Sequence, residues 1–133
     1  MPKLFPKTPE LRGALLLGTL LTAAAAAQAE DTAPAGSRSP GDLEEGERRE
    51  MMLAASRYDA CVFNKAMEIA GEHDDIRRAA DAALGACGGK LDELREVLAG
   101  FEVDATFIDA FSRRVQSRAT RKILPELAIR KAR

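Results

Sequence analysis

The chain of 133 residues has no tryptophan, one tyrosine, one histidine and two cysteines. Each scarcity narrows what the protein can be. One histidine does not supply the three or four converging ligands that most structural metal sites need. Two cysteines 26 positions apart are neither a Cys-x-x-Cys redox pair nor a zinc-ribbon set. The sequence contains no glycine-rich phosphate loop, no repeat at a fixed period and no heptad run long enough for a coiled coil. Sustained alternation of β-branched residues is missing too, so nothing argues for a sheet. The length allows one domain at most.

What is present begins with an export signal. Lys3, Lys7 and Arg12 give a positive start, Gly13 to Ala27 is uncharged and apolar, and Ala27-Gln28-Ala29 sets small residues where a signal peptidase reads them. The sequence therefore predicts a signal peptide over residues 1–29, cleaved after Ala29, and a periplasmic or secreted chain beginning at Glu30. The apolar run is short of the roughly 20 residues of a spanning helix. No cysteine near the cleavage point offers a lipid anchor, and no Arg-Arg pair precedes the run to suggest the twin-arginine route.

Losing Lys3, Lys7, Arg12 and Glu10 takes the balance of 20 basic and 21 acidic residues to 17 and 20. That remainder is unevenly divided. Ser112 to Arg133 holds eight basic residues and one acid, Glu126, which leaves 9 basic against 19 acidic for Glu30 to Phe111. An acidic body ends in a basic segment.

Residues 30–41 have Pro, Gly and Ser and no large apolar side chain, so they read as a flexible leader. From Asp42 onward every strong period is helical, and the expected class is all-α, a small bundle of three to four helices over residues 42–124. A first helix capped by Asp42 and Glu45 carries Met51, Ala55, Tyr58, Val62, Ala66 and Ile69 on one face, with Gly71 as a left-handed stop. A second, capped by Asp74, buries Ile76, Ala80, Ala83 and Cys87 and stops at Gly88-Gly89. A short third presents Leu91, Leu94 and Leu98 and closes at Gly100. The fourth, capped by Asp104 with Val103 stapled on Ile108, turns Phe107, Ile108, Phe111, Val115 and Ala119 inward. Pro125 should break it, leaving residues 125–133 as a basic tail.

An exported chain with two cysteines is expected to pair them, because the compartment is oxidising. Across an antiparallel hairpin turning near Glu72, Cys61 and Cys87 differ in height by about four residues, or roughly 6 Å, which a short loop absorbs. A disulfide joining the first two helices is expected.

Sites for chemistry are few. His73 sits in the turn among Glu72, Asp74 and Asp75, with no serine or threonine beside it to activate. The acidic clusters lack the alternating ligands and central glycine of a calcium loop and suit helix N-termini instead. No catalytic residue, cofactor or metal is expected. The most suggestive feature is the basic side of the fourth helix, Arg113, Arg114, Arg118, Arg121 and Lys122. It suits an anionic partner, such as lipid headgroups, lipopolysaccharide or an acidic protein, or else it faces water and the acidic body of the same molecule. Nucleic acid is not expected, since no aromatic residue follows Phe111 to stack on bases.

The string Tyr58-Asp59-Ala60-Cys61, the alanine-rich helix ending Ala86-Cys87 and the arginine-rich helical end resemble small secreted proteins of Gram-negative bacteria with a two-cysteine helical hairpin and no assigned function. The resemblance covers roughly Met51 to Leu124. It implies a periplasmic address and a hairpin disulfide, and no catalytic residues. The expected function is that of a non-enzymatic binding or structural module, with an unidentified protein or envelope component as partner. The alternatives are a peripheral envelope protein that contacts anionic lipid or an acidic partner through residues 104–124, and a small hydrolase or metal-dependent enzyme. The sequence specifies no oligomeric state.

Overall fold

A computed structural model describes residues 37–133; the expected signal peptide and the leader before Ser37 lie outside the described residues. After a short 3-10 turn at Pro40–Asp42 come four helices: α1 (Glu45–Ile69), α2 (Ile76–Ala86), α3 (Gly88–Gly100) and α4 (Ala105–Lys131). No strand occurs among the described residues. The fold is all-α, and the expected disulfide is formed between Cys61 and Cys87, whose Cα atoms are 6.0 Å apart.

Three long arms make the bundle. α2 and α3 are separated by the single non-helical residue Cys87, so together they run back along α1 as one bent arm. α4 then returns in the direction of α1. Arg38, beside the start of α1, bonds the carbonyl of Phe101 just before α4, Asp59 meets Lys122 midway, and Lys131 bonds the carbonyl of Asp74 beyond the far end of α1. α1 packs against all three other helices.

The inward row of α1 is Ala55, Tyr58, Val62, Ala66 and Ile69, as its period of three to four requires. It meets Ala79, Ala80 and Ala83 of α2, Leu91, Leu94 and Leu98 of α3, and Val115, Ala119, Ile123 and Leu127 of α4 in one core. Eight of the twenty buried apolar residues are alanines. Small side chains let the helices approach closely but remove little apolar area from water, at about 25 cal/mol per Å². Such a core leaves a large share of the stability to the Cys61–Cys87 crosslink.

Several boundaries differ from the expectation, each for a local reason. Residues 38–41, expected in the flexible leader, are held by hydrogen bonds and a 3-10 turn. The Arg38 amide donates to the Glu102 carbonyl at 2.9 Å, and the Arg38 guanidinium grips both oxygens of Glu47 at 2.7 and 2.8 Å and the Asp42 carbonyl at 2.9 Å. Asp42 accepts from the Ser39 amide and closes the 3-10 turn rather than capping α1. Leu43 then dives into the core in extended conformation, and α1 starts only at Glu45, where the Glu44 amide donates to Glu47 at 2.8 Å. Asp75, not Asp74, caps α2 by accepting from the Arg77 amide at 2.7 Å. Gly88-Gly89 open α3 instead of forming a loop, because the Cys87 carbonyl accepts from Lys90 and Leu91. The left-handed residue is Glu102, with φ of 57°, not Gly71.

α4 is the largest correction. It passes through Pro125 and ends at Lys131, so residues 125–133 are not a separate tail. Proline removes one donor, the bond to the Arg121 carbonyl one turn back, and Leu127, buried in the core, keeps the next turn in register. The inward row is also rotated: Ser112, Val115, Ala119, Ile123 and Leu127 are buried, while Phe107, Ile108 and Phe111 are half-buried at the flank. Phe107 and Phe111 stack on each other with ring centroids 5.7 Å apart.

Acid should loosen these end contacts. Its bond to Arg38, then the Glu44 amide, holds the Glu47 carboxyl below the usual carboxylate range; the Thr106 hydroxyl and amide do the same for Asp104. Both folded values lie below the unfolded ones, so their contribution is complete above roughly pH 4.5 and is lost as pH falls through the depressed values. Melting temperature should be level from neutrality to about pH 5 and fall below about pH 4. Glu47→Gln and Asp104→Asn should each flatten that acid limb in a pH series of thermal melts.

Candidate functional site

The five cations singled out on α4, Arg113, Arg114, Arg118, Arg121 and Lys122, do not form one surface. Arg118 Nη2 lies 3.1 Å and Lys122 Nζ 2.9 Å from the same oxygen, Asp59 Oδ2 of α1. The Asp59 side chain is 15% exposed, so this carboxylate is held at the seam between the two helices. At 100° per residue, Arg113, Ser117, Arg121 and Arg114 fall on the outer side of α4, away from the core, with Arg114 40° from Arg118. The three arginines there are exposed, and none forms an ion pair with a described acidic residue. The two expectations for the basic face therefore divide it: one edge meets the acidic body, and one ridge faces water.

Asp59 is the residue that sequence reasoning missed. Its place after the inward Tyr58 puts it at the margin of the core stripe, but its partners lie 59 and 63 positions away. Beside it, Tyr58 is fully buried and its hydroxyl has no hydrogen-bond partner among the described residues. Burial, with the charge of Asp59 added, pushes the phenol pKa up, so the group stays neutral. A buried, unbonded hydroxyl costs its hydration, and Tyr58→Phe should therefore raise stability by about 0.5–1 kcal/mol. Urea melts would show it; a loss larger than that would mean the hydroxyl has a bonded partner.

Next to Asp59 a cleft of about 300 Å³ opens between α1 and α4. Ala60, Phe63 and Asn64 line it from α1, and Ala119, Lys122 and Ile123 from α4. Phe63 is 42% exposed, and Met52 and Leu53 on α1 and Ile129 on α4 are also large apolar side chains left in water. A second, polar cleft lies at the α1–α2 turn around Glu72, His73, Asp74, Asp75 and Arg78. Among the described residues no group of three or more His, Cys, Asp or Glu side chains is placed to hold a metal ion. No helix among them is long and apolar enough to cross a membrane.

No family model, curated protein or solved structure matches the chain, so what it does has to be read from these surfaces.

Proposed function

We propose that the chain is an exported, periplasmic, non-enzymatic helical module that binds another component of the cell envelope. The observation that carries this reading is Phe63, 42% exposed at the cleft between α1 and α4, with Met52 and Leu53 also left in water farther along α1, outside a core already filled from the other face. Contiguous exposed apolar surface marks contact sites, and Phe63 with Ala60 and the cleft beside them supplies the apolar part of such a surface. The paired cysteines suit an oxidising compartment, and residues 1–29 supply the address. The lone His73 has carboxylates for neighbours and no adjacent nucleophile, which supports a non-catalytic role.

Two measurements test this. Protein recovered from the periplasm should have an intact mass beginning at Glu30 and two hydrogens below that of the reduced form; a full-length chain in the inner membrane would contradict export. Crosslinked in its own envelope, the mature chain should retain a partner absent from a helical control protein. A chain that sediments alone after crosslinking would contradict the binding role.

A second reading is favoured by the outer ridge of Arg113, Arg114 and Arg121, where no acid neutralises the charge: contact with anionic lipid. It predicts binding to phosphatidylglycerol vesicles that Arg113→Glu or Arg114→Glu abolishes. Salt near 0.5 M should do the same, because screening then shortens the reach of exposed charges to a few Å.

A further inference from the structure

We infer that the face shared by α1 and α4 is a membrane-contact face, on which both helices lie flat against an anionic lipid surface. The inference rests on the lipid reading above and moves the contact from the outer ridge of α4 onto this face. Asp59 fixes the geometry, because its bonds to Arg118 and Lys122 set α1 and α4 side by side. At 100° per residue Met52 and Phe63 stand about 20° and 40° beyond Asp59 on α1, on the side away from the inward Tyr58. On α4, Ile129 falls between Arg118 and Lys122, the two cations that reach Asp59. Three of the four large apolar side chains left in water among the described residues are therefore on this face, with Met52 48%, Phe63 42% and Ile129 51% exposed. The bent arm, on the far side of the bundle, carries none of the four.

Spacing and charge select the lipid surface. With Asp59 level between Arg118 and Lys122, Met52 and Phe63 are about 16 Å apart along the axis, and Ile129 lies about 8 Å beyond Phe63. Apolar side chains so separated form no continuous patch for a protein partner, whereas a bilayer takes up each one independently between its headgroups. Cations fill the intervals. Arg114 and Arg121 stand on the shoulder of α4, about 40° and 60° from Arg118, where a plane laid across both helices is within reach of their long side chains. Neither forms an ion pair with a described acidic residue, while Asp59 meets Arg118 and Lys122, and Glu45 at the start of α1 meets Arg49 at 2.8 Å. Even with the exposed Glu126 counted beside Asp59 and Glu45, the cations are in surplus by Arg114 and Arg121. A second copy of the chain would set those cations against each other across a two-fold axis. No described helix is long and apolar enough to cross the bilayer, so the contact is with its surface.

The test uses the mature, oxidised chain with phosphatidylglycerol vesicles, and phosphatidylcholine vesicles as the neutral control. The chain has no tryptophan, so Phe63→Trp supplies a single fluorescent reporter, and Glu96→Trp on the exposed side of α3 supplies its control. On phosphatidylglycerol the Phe63→Trp emission should shift to the blue and be quenched by brominated acyl chains, while the Glu96→Trp emission should stay as it is in water. At unchanged melting temperature, Phe63→Ser should weaken binding about tenfold. Arg114→Gln and Arg121→Gln should each weaken it about fivefold, and Arg113→Gln, turned away from the face, about twofold or less. Equal binding to both kinds of vesicle would overturn the proposal. So would an unshifted Phe63→Trp emission, or a larger loss from Arg113→Gln than from Phe63→Ser; with binding retained, either result would return the contact to the outer ridge and leave the lipid reading standing. No binding at about 1 mM phosphatidylglycerol would remove the lipid reading together with the face. A crosslinked protein partner that Phe63→Ser releases, with vesicle binding unchanged, would assign the face to that protein instead.

Discussion

Replacing Cys61 or Cys87 by serine is expected to lower stability by about 3.5 kcal/mol, and replacing both should cost no more than either alone. The chain-entropy relation for a loop of this length gives that figure, and one covalent bond is removed in all three variants, so the losses cannot add. For a folded body of this size the melting temperature should fall by roughly 15–25 °C. Total stability for about 100 residues is on the order of 5–15 kcal/mol, and the alanine-rich core places this chain toward the lower end. Denaturant melts of the three variants against the oxidised parent would measure it. Additive losses would mean that each sulfur contributes through separate contacts.

Core truncation on α4 should divide sharply by position. Ile123 is 1% exposed and belongs to the core, so Ile123→Ala removes three buried carbons and leaves a void, costing about 3–4 kcal/mol. Leu94→Ala on α3 should behave alike. Phe111→Ala should cost less, about 1–2 kcal/mol, although phenylalanine is the larger residue, because it lies half-buried against Phe107 and its site stays open to solvent. Urea melts with a shared slope would rank the three. A Phe111→Ala loss equal to that of Ile123→Ala would place Phe111 in the core, where the apolar spacing of the sequence puts it.

The misplacement of Phe111 shows where the sequence could be read and where it could not. Tyr58, Val62, Ala66 and Ile69 repeat at intervals of three and four through one unbroken helix, so their burial follows from the period even though Met52, Leu53 and Phe63 lie off that face. On α4 two apolar rows compete, Phe107-Phe111 and Val115-Ala119-Ile123-Leu127, and they are offset around the helix by 40° or more. Which row is inward depends on where α1 and the bent arm stand, and period does not contain that. Ser112 is buried for the same reason, carried inside by its neighbours on the helix. Pro125 misled because the loss of one backbone bond was weighed without the packing of Leu127 that compensates it. Gly88-Gly89 misled because glycine marks loops on average, whereas here Cys87, fixed to Cys61, supplies the bend. At the candidate site the cations could be named from sequence. Their division could not, since Asp59 and Arg38 act on residues 63 positions along the chain.

The bent arm also bears on how fast the bundle assembles. α1 and α4 lie parallel and share no local turn, so their contact waits for a long loop to close. In the reduced chain the path from Asp59 to Lys122 spans 63 positions; with Cys61 joined to Cys87 it shortens to about 37, and the closure entropy falls by only about 0.5 kcal/mol. Docking of α4 should therefore be no more than about twofold faster in the oxidised chain. Most of the 3.5 kcal/mol would then appear in the α1–α2 hairpin and in slower unfolding, so oxidation acts chiefly on the lifetime of the folded bundle and little on the arrival of its last helix.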